Sequence, residues 1–138
     1  MQYRSRILDE VLKFRLSAKG AILITGPKWC GKTTTAKQHA KSFINMQDAT
    51  NKNQYLALAR ISPLELLKGE TPRLIDEWQI APPLWDAVRQ EVDNRGKFNQ
   101  FILTGSSVPA NIDEDSHSGI GRIAALQMRP MTLFESLE

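Results

Sequence analysis

The sequence predicts an α/β domain with a mostly parallel sheet and helices on both faces. Two observations carry that expectation. Short apolar runs alternate with amphipathic or helix-opening stretches along the chain, and a glycine-rich turn joins the first run to the helix after it. Right-handed crossovers between parallel strands then place helices on both sides of the sheet. The 138 residues suffice for one domain with a real core and are too few for two.

Taken in order, Arg6 to Phe14 carries Ile7, Leu8, Val11, Leu12 and Phe14 at helical spacing, and Gly20 closes that region. Ala21 to Thr25 is a short apolar run of strand type. A turn follows, and then a helix from Lys32 to about Phe43. Gln47 to Asn53 is polar and turn-like, and Tyr55–Leu58 reads as the second strand, although its alanine weakens that assignment. Ser62 and Pro63 suggest an N-cap and a proline at the first position of a short helix that stops near Gly69. Arg73–Asp76 is the third strand. Pro82 and Pro83 open a helix to about Asn94, with Leu84, Trp85 and Val88 on one face. Phe101–Thr104 is the fourth strand, Ser106–Gly121 a polar loop, and Arg122–Met128 the fifth strand. Another helix begins at Met131. The chain stops at Glu138 inside that helix, which suggests an N-terminal fragment of a longer protein.

Composition excludes several classes. No apolar run approaches the roughly 20 residues of a membrane-spanning helix, and the first residues lack the apolar core of a secretion signal. The lone Cys30 rules out an internal disulfide and suits a reducing cytoplasm. Eighteen basic against 15 acidic residues leave a net charge of +3, too mild an excess to argue for nucleic acid as a partner.

The chemistry concentrates in three places. Gly26, Pro27, Lys28, Trp29, Cys30, Gly31, Lys32 and Thr33 match the phosphate-loop pattern, also called Walker A, at every fixed position. Glycines let the loop wrap with N–H groups pointing inward, and the helix beginning beside Gly31 aims its positive end at the same anion. Lys32 supplies charge to the terminal phosphates of ATP, and Thr33, followed by Thr34, supplies a hydroxyl for Mg²⁺. The strand-then-helix context separates this pattern from a chance glycine-rich turn. Second, Asp76 and Glu77 end the third strand, at the edge where such sheets bind ligands. Asp76 suits a Walker B role toward the magnesium, and Glu77 suits activation of the attacking water. An acidic pair that merely caps the next segment is the alternative. Third, Thr104 and Ser106 follow the fourth strand and offer hydroxyls to the γ-phosphate or the water. An ordinary turn of small residues is the alternative there.

Four segments together, Ile22–Thr35, Leu74–Gln79, Phe101–Ser107 and Gly121–Glu135, resemble the AAA-type P-loop ATPase domain of a prokaryotic group known as ATP-binding proteins. The resemblance covers nearly the whole chain. It implies a three-layer P-loop NTPase sandwich on a five-stranded sheet in the order 5-1-4-3-2, with the acidic pair on the third strand and the sensor on the fourth. It also implies a C-terminal domain in cis, of uncertain function and in some members suspected of being nuclease-like. The sensor position departs from better-known AAA ATPases, which carry an asparagine where this chain offers hydroxyls.

The reading that follows is an ATPase module in which Glu77, Lys32 and Thr104 are catalytic, Gly26 to Thr34 hold the nucleotide, and Thr33 and Asp76 serve the metal. A P-loop phosphotransferase and a non-hydrolysing, nucleotide-gated binding module remain the alternatives, and a homo-oligomer or a DNA partner is left open. Arg122 as an arginine finger, Cys30 as a redox switch and Tyr3 or Arg4 beside adenine are weaker candidates. His39 and His117 read as surface residues.

Overall fold

The computed structural model describes residues 7–27, 31–106 and 123–128. Its elements are α1 (Ile7–Leu16), β1 (Ala21–Thr25), α2 (Lys32–His39), β2 (Ser42–Asn45), α3 (Lys52–Ile61), α4 (Leu64–Leu67), β3 (Arg73–Asp76), a 3₁₀ turn (Trp78–Ile80), α5 (Pro83–Arg95), β4 (Phe101–Gly105) and β5 (Ile123–Gln127). The five strands form one parallel sheet in the order β2-β3-β4-β1-β5, which is the expected 5-1-4-3-2 read from the other edge.

The strand pattern follows from covering both faces. β1 and β4 are buried at every position, as strands of a doubly covered parallel sheet must be. Alternate residues serve opposite layers. Ala21, Leu23, Ile75, Phe101 and Leu103 join Ala59 of α3, Leu66 and Leu67 of α4, and Leu84, Trp85, Val88 and Val92 of α5. Ile22, Ile24, Leu74 and Ile102 join Leu12 and Leu16 of α1 and Ala36 of α2 on the other face. The expected apolar stripe of α5 is therefore the one that packs. Gly20 leaves room for Val92: a Cβ there would lie 2.1 Å from the nearer Val92 methyl carbon.

Two expectations fail at the same place. The helix expected to reach Phe43 ends at His39, where Ala40 turns extended while its N–H still bonds Ala36 O. The second strand is Ser42–Asn45, not Tyr55–Leu58. On this edge strand Ile44 is the one buried residue, so the strand shows almost no apolar pattern of its own. Its partner supplies the order: ladder bonds run on from both ends, Lys41 N to Pro72 O and Met46 N to Asp76 O. Tyr55–Leu58 lies inside α3, whose alanines and leucines favour helix and whose Tyr55, Leu56, Leu58 and Ala59 pack on the core. The short helix starts one residue later than expected, with Pro63 preceding it. The expected loop beyond Ser106, the helix from Met131, and Tyr3, Arg4, His117 and Arg122 lie outside the described residues.

Candidate functional site

The sheet register brings the C-terminal ends of the central strands together: Asp76 lies opposite Thr104, Thr104 opposite Ile24, and Gly105 opposite Thr25. The turn after β1 returns α2 to the same edge. Gly31, the residue before α2, sits at φ 90°, ψ 15°, a left-handed conformation that glycine adopts without steric cost. The first bond of the helix runs from Thr35 N to Gly31 O at 2.9 Å, so the N–H groups of Lys32, Thr33 and Thr34 have no partner within it. No acidic residue occupies the first turn to offset the positive end of the helix.

Lys32 sharpens this. It is 4% exposed, its ammonium donates to Pro27 O at 3.4 Å, and among the described residues no carboxylate pairs with it. A buried cation at the positive end of a helix is unfavourable by itself and suits an anion held against that end. Gly26 is buried and Pro27 exposed; Lys28, Trp29 and Cys30 lie outside the described residues. Thr33 is half-buried, Thr34 is exposed, and Thr35 is buried without having been singled out in the sequence.

The acidic pair stands beside this helix. Thr33 Oγ1 donates to Asp76 Oδ1 at 2.8 Å, and Thr104 Oγ1 donates to the same oxygen. Thr104 is wholly buried and in turn accepts the Glu77 N–H at 3.1 Å. The one proton of its hydroxyl and one of its two lone pairs are thus used within the protein. Glu77 adopts φ 61°, ψ 54°, a conformation costly for a residue with a Cβ, and the bond to its N–H helps hold it there. Its carboxylate Oε2 accepts from Gln79 Nε2 at 2.5 Å. Ser106 is exposed and makes none of these contacts.

The oxygen set fits one type of ion. A hydroxyl and a carboxylate converge, while no group of three or more His, Cys, Asp or Glu side chains gathers among the described residues. That suits Mg²⁺, which takes one or two protein oxygens plus phosphate and water, better than a metal needing a full protein cage.

Sequence reasoning missed two features. Gln79 closes the Leu74–Gln79 segment that carries the resemblance, yet the motif reading assigns it no role of its own. His39, expected at the surface, is nearly enclosed with Asp9 of α1 at 2.8 Å from its Nε2. The sequence could not show that α1 lies over the end of α2.

Fold and edge together define a nucleotide-binding module of ATPase type, and the comparisons narrow this. A family model described as AAA domain matches residues 18–137, and the chain belongs to that family. Uncharacterized proteins of Mycobacterium bovis (Mb2031c) and Mycobacterium tuberculosis (Rv2008c) are each 31% identical over 124 residues, which cover 88% of this chain. The chain spans 28% of the length of these relatives. A solved structure of C. elegans PCH-2 is similar over 88% of this chain and 37% of its own, at 18% identity and a TM-score of 0.44, too loose a likeness to carry weight. Among the described residues no helix is long and apolar enough to cross a membrane.

Proposed function

We propose that this domain binds Mg·ATP at the Gly26–Thr34 loop and hydrolyses it to drive or gate an attached domain or partner. The observation that carries the reading is the buried Lys32 at the start of α2, unpaired with any carboxylate among the described residues and one residue from a Thr33 hydroxyl bonded to Asp76. In this reading Lys32 meets the β- and γ-phosphates, and the N–H groups of Lys32 to Thr34 join them. Thr33 and Asp76 would hold the ion, which when bound would offset phosphate charge. Glu77 accepts a proton from water as the water oxygen attacks the γ-phosphorus; the bond to the bridging oxygen breaks, and ADP and phosphate leave. Thr104 acts through Asp76 and Glu77 by bracing both, a role that its full burial favours over direct phosphate contact. A reducing cytoplasmic setting accords with this nucleotide chemistry.

The position of β4 between β1 and β3 favours the ATPase reading over a phosphotransferase, for which the Asp76 strand would adjoin β1. The reading is tested by phosphate release from ATP without an added acceptor, comparing wild type with Glu77→Gln in the full-length protein. The expected result is retained ATP binding with turnover lower by about 100- to 10,000-fold. Equal turnover would remove Glu77 from the chemistry, and phosphate appearing only with an acceptor would favour the phosphotransferase.

A further inference from the structure

Glu77, as a base, has to keep one carboxylate oxygen aimed at water, yet its side chain has three rotatable bonds and rises from a left-handed backbone position. What steadies it is local. Gln79 Nε2 donates to Oε2 at 2.5 Å, and among the described residues the other oxygen, Oε1, accepts no hydrogen bond. One oxygen is anchored, and the other carries no bond from a described residue. A carboxylate only accepts, so the Gln79 amide must present its nitrogen to Glu77 and turn its own oxygen the other way.

That oxygen points to the end of β4. A Cβ built on Gly105 would stand 2.5 Å from Gln79 Oε1 and 2.8 Å from Trp78 Nε1, so the amide lies against a surface that only glycine leaves open. Gln79 Oε1 is buried without a hydrogen-bond partner among the described residues. Such an atom is retained at a cost, and the bond made by the other end of the amide is a reason to retain it. The turn carrying Gln79 is closed by Ile80 N to Glu77 O at 3.2 Å and weighted by Trp78, whose ring lies 5.1 Å from that of Trp85. Gln79 is therefore held from behind, by β4 and α5, while it holds Glu77 in front.

We propose that Gln79 is a positioning residue that fixes the Glu77 carboxylate by one oxygen so that the other meets the attacking water. The proposal rests on the reading of Glu77 as the base. Bonding of a partner group to orient a reactive one commands about ten- to a hundredfold at metal ligands, and a loss in that range is expected here.

The test uses the full-length protein and four variants: Gln79→Met, which keeps the bulk beside Gly105 and removes the donor, Gln79→Ala, Glu77→Gln, and Glu77→Gln combined with Gln79→Met. Steady-state ATP hydrolysis, ATP affinity and thermal midpoint are measured for each. The expected result is that Gln79→Met and Gln79→Ala lower kcat ten- to a hundredfold at unchanged KM and ATP affinity. The double variant turns over no more slowly than Glu77→Gln alone, because Gln79 has nothing left to orient. A wild-type kcat in both Gln79 variants would overturn the inference while leaving Glu77 in place. So would a rise in KM together with weaker ATP binding and a lower midpoint, or a further loss in the double variant, since those mark a structural role. Wild-type turnover in Glu77→Gln would instead overturn the reading of the base itself, and this inference with it.

Discussion

Thr104→Val exchanges a hydroxyl for a methyl at a position with no solvent exposure, so no cavity arises and the cost is purely polar. The hydroxyl does two things: it donates to Asp76 Oδ1 and accepts the Glu77 N–H. A hydrogen bond to a charged group contributes about 1.5–3 kcal/mol, and a buried donor left unpaired costs about 1–3 kcal/mol. Asp76 keeps the Thr33 hydroxyl on the same oxygen, which places the first contribution near the lower end of its range. The sum is about 2.5–4.5 kcal/mol, a large share of the roughly 5–15 kcal/mol that holds a domain folded. Thr104→Ser keeps both bonds and loses one methyl, for about 1 kcal/mol. Urea unfolding of the two variants beside wild type should show midpoints falling in that order at an unchanged slope. A valine variant within about 0.5 kcal/mol of wild type, or no more affected than the serine variant, would refute the idea that this hydroxyl ties β3 to β4.

Two further outcomes test the packing. Gly20→Ala should destabilise by about 1–3 kcal/mol, the usual cost of overpacking, because its Cβ collides with Val92; equal thermal midpoints would show that α5 moves away freely. Ile44→Ala should cost about 2–4 kcal/mol by chemical denaturation, since Ile44 is the buried anchor of β2; a negligible loss would argue that this segment is not a strand of the sheet.

The sequence made the centre of the fold legible and blurred its edge, for a physical reason. β1, β3 and β4 are covered on both faces, so burial writes an apolar run into β1 and β4 and a Leu74-Ile75 pair into the short β3. β2 is held by backbone bonds to β3 and one buried isoleucine, and neither leaves a periodic mark. The helix-rich segment Lys52–Ile61 looked strand-like only because four residues were read apart from their helical neighbours. At the site, Lys32, Thr33, Asp76, Glu77 and Thr104 were all singled out because fixed spacing around a glycine turn and strand ends exposes them to recognition. Their bonding was not legible: that Thr104 spends its hydroxyl inside the protein, or that Gln79 grips Glu77, depends on register and backbone angle.

The central claim is that the start of α2 holds the phosphates of ATP and that Lys32 is the cation facing them. Calorimetric titration of Mg·ATP into wild type and Lys32→Ala tests it most directly, with circular dichroism to establish that both are folded. The expected result is saturable binding to wild type and an affinity at least about tenfold lower in the variant, a difference of about 1.4 kcal/mol or more. Equal affinity in a folded Lys32→Ala protein would place the nucleotide elsewhere and contradict the account.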